Sequence, residues 1–245
     1  MDLPHSVAKL SVMRTLKVGL AVALVAVLWV PGSRAAQSGS TPDVPLPATI
    51  PLFPLPDVAL LPNSTQPFHI FEPRYRAMVA DALAGDSIIG MVMLQPGYEA
   101  EYEGRPPIYA IGCAGVIISS EELPDGRYDI VLGGLEKFRI LSEDASRPYR
   151  LATVEALPET IDARARSLLA ERRQQLEGVL LSLSPGMRLP PSDLSDEEVV
   201  DGLSLVLPLD PTERQELLEA DGPIARASRL IGLLRGSRQA GLTRW

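Results

Sequence analysis

The chain has 245 residues, 46% of them hydrophobic, 22% charged and only 5% aromatic. That balance excludes a wholly disordered, collagenous or multi-span membrane protein and predicts an aliphatic core in one large domain or two modest ones. The formal charge of -8 is uneven, because Lys9, Arg14, Lys17 and Arg34 against Asp2 leave residues 1–40 at +3 and the remainder at -11, a surface that repels nucleic-acid phosphates.

At the N-terminus, Arg14 and Lys17 precede an unbroken apolar run over residues 18–30, followed by Pro31, Gly32 and the small-residue site Ser33-Arg34-Ala35-Ala36. This is the order of a secretory signal peptide, and the run is shorter than the ~20 residues of a membrane-spanning helix. Residues 1–36 are therefore expected to be a signal cleaved after Ala35 or Ala36, with residues 1–12 an over-extended start before Met13. An uncleaved membrane anchor is the alternative for localisation, and a buried core helix the bland one. A polar linker, 37–48, follows.

Nine of the 23 prolines lie between Pro42 and Pro73 and cut this stretch into short extended pieces at Ile50–Leu55, Val58–Leu61 and Phe68–Phe71. Pro73 then opens a helix whose Tyr75, Met78, Val79, Ala82 and Leu83 recur at helical spacing, and Gly85 ends it. Strands are expected at Ser87–Leu94, Tyr109–Ser119, Tyr128–Leu132, Leu135–Leu141 and Tyr149–Leu157. Pro124-Asp125-Gly126 makes the turn of a hairpin, and Gly133-Gly134 marks a bulge or sharp corner. These signals assign residues 49–158 to a small, partly closed β-barrel with one inserted helix.

From Ile161 the period is helical. Ala165, Leu168, Leu169, Leu176, Val179, Leu180 and Leu183 share a face of a long helix that Ser184-Pro185-Gly186 ends. Ser195 with Glu198, and Asp210 with Glu213, make capping boxes, and a last helix starts at Pro223. Residues 159–236 thus form a C-terminal helical bundle, 237–245 a tail, and the fold class is α+β.

The stretch IPLFPLPDVALLPNSTQPFHIFEPRYRAMVADAL, residues 50–83, resembles the start of the Lon protease substrate-binding domain. IGCAGVI at 111–117, LPDGRYDIVLGGLEKFRIL at 123–141 and QELLEADGPIARASRLIGLL at 215–234 are similar to later parts of that domain, in the same order. The resemblance covers about residues 49–236 and implies a PUA-like barrel with helices. It also implies a free-standing, non-catalytic module that recognises unfolded or hydrophobic polypeptide segments, with a separate protease or chaperone as a further partner. The chain ends where the ATPase of Lon would begin, and it has no G-x-x-x-x-G-K-[ST] loop. Lys137 is the only lysine after the signal, so neither serine-lysine peptidase chemistry nor ATP hydrolysis is expected. There is no cysteine-rich zinc module.

The chemistry-bearing residues are few. His69 reads as a strand histidine, because a general base would need a nucleophile and an orienting acid beside it. Cys113, the sole cysteine, reads as a small hydrophobe and excludes an internal disulfide. Glu99, Glu101 and Glu103 alternate and would share one face of an extended chain, which leaves an enzyme using these carboxylates as an alternative function. Glu72, Pro73, Arg74 and Tyr75 read as an architectural motif in which Glu72 caps the helix and Arg74 and Arg76 pair with barrel carboxylates. Met91, Met93, Tyr98 and Tyr109 are the candidate polypeptide contacts, since flexible thioethers and amphipathic rings suit surfaces that accept many sequences, with core packing the competing reading for the methionines. No metal, cofactor or nucleic-acid site is expected; RNA binding is a distant alternative resting on PUA-like barrels elsewhere. No stable membrane anchor is expected once the signal is cleaved.

Overall fold

A computed structural model describes residues 45–239, so the apolar N-terminal run and the signal read from it lie outside the described residues. The strands are β1 (Thr49–Leu55), β2 (Thr65–Ile70), β3 (Ile88–Met93), β4 (Ile111–Glu122), β5 (Tyr128–Asp144) and β6 (Arg150–Leu157). The helices are α1 (Pro73–Leu83), α2 (Ala163–Leu183), α3 (Asp196–Val206), α4 (Pro211–Glu219) and α5 (Gly222–Gln239).

The α+β fold rests on one mixed sheet of six strands in the order β2-β5-β4-β3-β1-β6, with β5 also pairing β6. That last pairing makes a ring of β5, β4, β3, β1 and β6, and β2 lies outside it on the first half of β5. Only β1 and β3 run parallel, with α1 in the crossover between them. Val58–Leu61, expected as a short extended piece, lies outside the sheet with Leu60 and Leu61 buried, so its apolar side chains serve packing without ladder bonds.

Two segments expected as separate strands are one, β5, seventeen residues long. The glycines explain this. Register slips between Ala114 and Gly115 opposite Leu135, and a side chain at Gly134 would come within 2.9 Å of the Leu61 backbone. Gly134 instead donates its N–H to Ser64 O at 2.8 Å, and the strand bends there without ending.

The inside of the ring is small. Ile50, Leu52, Ile88, Val92, Ala114, Phe138, Ala152 and Val154, from all five ring strands, form one buried cluster in which Phe138 is the only aromatic. Glycines make room for it. A Cβ at Gly90 or Gly112 would stand 2.8 or 2.7 Å from Phe138 Cζ. A second cluster lies between the outer surface of the sheet and α1, with Phe53, Ile89, Met91, Cys113, Ile130 and Leu132 meeting Tyr75, Met78, Val79 and Ala82, and Leu218 of α4 reaching the same layer. Every residue of β3 is consequently buried, on both faces.

The helices follow the ring and are joined to it by buried charges. Asp162 caps α2, and both capping boxes form, at Ser195/Glu198 and Asp210/Glu213. α2 buries Leu169, Leu176 and Leu180, while α5 buries Ala227, Leu230, Ile231 and Leu234. At the junction Arg226 of α5 is fully buried between Asp201 of α3, at 2.5 Å, and Glu159, at 2.6 Å. Glu159 also pairs with Lys137 of β5 at 2.7 Å, and Lys137 donates to Ala220 O at 2.6 Å. Asn63, in the β1–β2 loop with φ 56°, donates to Asp201 at 3.1 Å. Breaking such a buried set by removing one member costs ~3–5 kcal/mol, because the partner left behind stays dry and unpaired.

Two expectations follow for this architecture. Gly112→Ala should lower the free energy of unfolding in urea by about 1–3 kcal/mol, the usual cost of overpacking, with no rescue from Phe138→Leu because the new methyl also meets the Met91 carbonyl; Gly90→Ala, facing side chains only, should be rescued in part. The second concerns pH. Burial, outweighing the pull of Arg226 and Asn63, pushes the Asp201 carboxyl up to about 6. A raised acid binds its proton more tightly in the folded state, so its contribution to stability is complete below its unfolded value and is lost as pH rises through about 6. Urea melts of wild type and Asp201→Asn across this interval should give a difference in stability that moves against the wild type as pH rises.

Candidate polypeptide-binding face

The long β4–β5 hairpin and β2 extend beyond the ring as a three-stranded antiparallel flap with β5 in the middle. Its turn is the expected one: Gly126 adopts φ 76° and donates to Leu123 O at 2.8 Å, while Asp125 accepts from Arg127 N at 3.1 Å. Alternation then sorts the side chains. Ile70, Ile130 and Leu132 point into the cluster under α1, so His69, Asp129 and Val131 must point the other way.

Among the described residues no element covers that outer side. Its rows, set by strand register, are His69 opposite Asp129 opposite Glu121, then Pro67 opposite Val131 opposite Ser119, then Thr65 opposite Gly133. Ile118 is the extra residue of a second irregularity in β4, and its side chain lies over Gly133, where a Cβ would meet Ile118 Cγ2 at 3.1 Å. At the other end Phe71 stacks on His69, with ring centroids 6.3 Å apart. Phe71 is 61% exposed and Ile118 56%, values far outside core packing for large apolar side chains.

The Glu72-Pro73-Arg74-Tyr75 motif holds Phe71 in place. Glu72 is the N-cap residue of α1, yet its carboxylate makes no capping bond. It accepts instead from Tyr102 OH at 2.8 Å and from Arg74 Nε at 2.9 Å. Arg74 stacks on the rings of Tyr75 and Tyr102 and donates to the carbonyls of Tyr102 and Glu103. Burial works against the Arg74 charge, but the Tyr75 and Glu72 fields outweigh it and the guanidinium stays above its ordinary value. Tyr75 anchors the helix edge-on to Phe53 at 4.7 Å. With Ile70 in the core on one side and Glu72 pinned on the other, Phe71 is held outward by construction. Arg76 departs from the expected carboxylate pairing, since its guanidinium packs under the turn at Gly126.

The candidate contacts divide. Met91 and Met93 are each 1% exposed and cannot meet a ligand, because α1 and the helical region cover the outer side of β3; the core reading of both methionines is the correct one. Tyr98 is 37% exposed on the β3–β4 loop, and Tyr109 is half-buried at its neck, donating its N–H to Met93 O at 2.9 Å. Neither belongs to the flap. The signal for Phe71 was present in the sequence, in an aromatic between a buried β2 residue and a helix start, but nothing local told which side it would take.

The carboxylate alternative fails on geometry. Glu99–Glu101 form a 3-10 turn, so the expected shared face of an extended chain does not exist. Glu99 is fully exposed and held below its ordinary value by backbone N–H groups, its own and that of Gly97. Among the described residues no group of three His, Cys, Asp or Glu side chains could hold a metal ion. Cys113 is wholly buried, and burial pushes its thiol far up. His69 Nδ1 lies 2.6 Å from Asp129, and Arg127 points at Nε2 from 3.1 Å. Nε2 is therefore the acceptor and is already engaged, which leaves no free base. Among the described residues of the 49–158 segment, six of eight cations are in ion pairs.

The recesses do not compete with this face. One of about 350 Å³ lies between α2 and α5, lined by Gly178, Val179, Leu183 and Leu234, and one of about 200 Å³ lies at the junction beside Asn63, Glu159 and Pro223. Neither gathers any candidate contact.

Comparison with known proteins places the chain. Residues 49–236 match the family model of the ATP-dependent protease La (LON) substrate-binding domain. The Lon protease of Trichlorobacter lovleyi is 28% identical over 201 residues, covering 78% of this chain and 24% of that protein; Lon protease 2 of Syntrophobacter fumaroxidans is 29% identical over 179 residues, covering 71% and 22%. The chain thus spans about a quarter of the length of these relatives. Among solved structures, a Lon N-terminal domain protein from Xanthomonas campestris aligns with a TM-score of 0.52 at 25% identity, over 75% of this chain and 97% of that one. The N-terminal domain of Mycobacterium avium complex Lon protease aligns at 0.58 and 18% identity over 76% and 98%, a likeness of fold.

Proposed function

The chain belongs to the substrate-binding domain family of the ATP-dependent Lon proteases, and from that membership we propose that it is a non-catalytic module recognising unfolded or hydrophobic polypeptide segments. The matches fall on the substrate-binding domain alone, the part of Lon that carries no catalysis. The observation that carries the reading is the uncovered outer face of the flap, where Phe71, Pro67, Val131 and Ile118 present apolar surface on a rigid sheet. A sheet face of this kind binds by apolar contact and shape, which tolerates many sequences. The ring of five strands supports the PUA-like description of the barrel. Its filled interior turns recognition to the outside, and a separate protease or chaperone would process what the module holds.

We also propose that the protein is exported, with the periplasm as its compartment and an uncleaved membrane anchor as the alternative. The basic flank, the apolar run 18–30 and the small residues at 33–36 support this. Among the described residues no helix is long and apolar enough to cross a membrane.

The first test is binding of labelled, reduced and carboxamidomethylated ribonuclease A, with native ribonuclease as control. Phe71→Ser combined with Ile118→Ser should weaken binding about tenfold while leaving the melting temperature nearly unchanged, since both side chains are already solvated. Unaltered binding by the folded variant would remove the flap from the site. For export, mass spectrometry of protein from cells should find an N-terminus at Ala36 or Gln37, and an intact Met1 or Met13 on soluble cytoplasmic protein would overturn it.

A further inference from the structure

Resting on the binding face just described, we infer that it selects extended segments with a basic residue flanked by apolar ones at alternate positions. Glu121 and Asp129 stand directly opposite each other on adjacent strands with both carboxylates on the outer face. Like charges so placed repel and weaken the sheet. Asp129 is relieved by His69, whose Nδ1–H donates to it at 2.6 Å. The Glu121 carboxylate has no ion pair or side-chain hydrogen bond among the described residues, and Glu121 is exposed.

Arg127, in the turn next to this row, is engaged elsewhere. Arg127 is turned to Asp125, at 2.6 Å, and to His69 Nε2, so the face offers an unneutralised carboxylate and no free cation for an acidic ligand. The barrel segment 49–158 as a whole has 15 acidic against 8 basic residues, which draws cationic ligands in and keeps a second acidic copy away.

The rows of the flap supply the spacing. Residues two apart along a strand lie ~7 Å apart on the same side. Phe71 occupies the first row, His69, Asp129 and Glu121 the second, Pro67 and Val131 the third, and Ile118 over Gly133 the fourth. An extended polypeptide lying along the strands meets them in the order apolar, acidic, apolar, apolar, and its matching side chains at i, i+2, i+4 and i+6 are apolar, basic, apolar and apolar.

Two fluorescent peptides test this, one with leucine, lysine, leucine and leucine at alternate positions separated by serine, the other with glutamate in place of lysine. The lysine peptide should bind the full chain roughly five- to tenfold more tightly at low salt, the gap closing near ~0.5 M salt, as expected for exposed ion pairs. Glu121→Lys, which keeps the fold, should abolish or reverse the preference. Equal affinity for both peptides, or a preference that survives in Glu121→Lys, would overturn the inference. If both peptides bind alike and both are weakened by Phe71→Ser with Ile118→Ser, the polypeptide-binding reading stands and the charge selection falls. Binding of neither peptide defeats both. A concentration-dependent dimer that Phe71→Ser dissociates would assign the face to a second copy and overturn the proposal.

Discussion

The buried ion set Lys137, Glu159, Arg226 and Asp201 is the constraint from which the relation of ring and helices derives. Each member comes from a different piece of chain: β5, the segment after β6, α5 and α3. A fully buried guanidinium has no alternative partner in water, so the four groups meet together or the fold loses more than any one of them contributes. Arg226 also donates to Leu217 O at 3.0 Å, which fixes the end of α4 and brings Leu218 down onto the outer surface of the sheet. Apolar burial gives these helices a reason to pack; the ion set gives them one orientation.

That orientation decides where recognition can occur. The ring interior is filled by the apolar cluster around Phe138, for which Gly90 and Gly112 make room. The outer side of β3 is taken by α1 and by the helical region. What remains is the part of the sheet that extends past the ring, where β2 is an edge strand and β4–β5 carries no covering element among the described residues. Pro67 lies in β2, where the missing N–H blunts the edge against pairing with other chains. A ligand is thus turned from the edge toward the face, where side chains and not ladder bonds do the selecting.

The acidic character of the chain acts differently in its two halves. Inside, carboxylates are matched one to one by Lys137 and Arg226. On the flap they are left partly unmatched, and the opposed pair Glu121 and Asp129 makes that imbalance local and directional. The flap therefore combines exposed apolar side chains with an unmatched carboxylate, and the Glu72, Arg74 and Tyr102 clamp fixes Phe71 at its end.

Much of this was legible residue by residue. Pro73, the two capping boxes, Pro124-Asp125-Gly126 and the helical periods each act within a few residues of themselves, so they announce α1, α3, α4, the hairpin and the long helices without knowledge of the rest. The ordered motifs over residues 49–236 likewise carried the family. Other features depend on distant chain. Alternation told that β3 has two faces, but that α1 and Leu218 cover one of them is a matter of packing between remote segments, and so Met91 and Met93 read equally well as contacts or as core. Glu99, Glu101 and Glu103 could alternate only if extended, and the clamp from Arg74, some 30 residues away, winds them into a turn. Gly133-Gly134 promised a corner, and whether the chain broke or bent there was settled by the Ser64 carbonyl that receives Gly134 N–H. Local chemistry wrote the elements and their ends; burial, which depends on who arrives from elsewhere, chose which faces stayed open to bind.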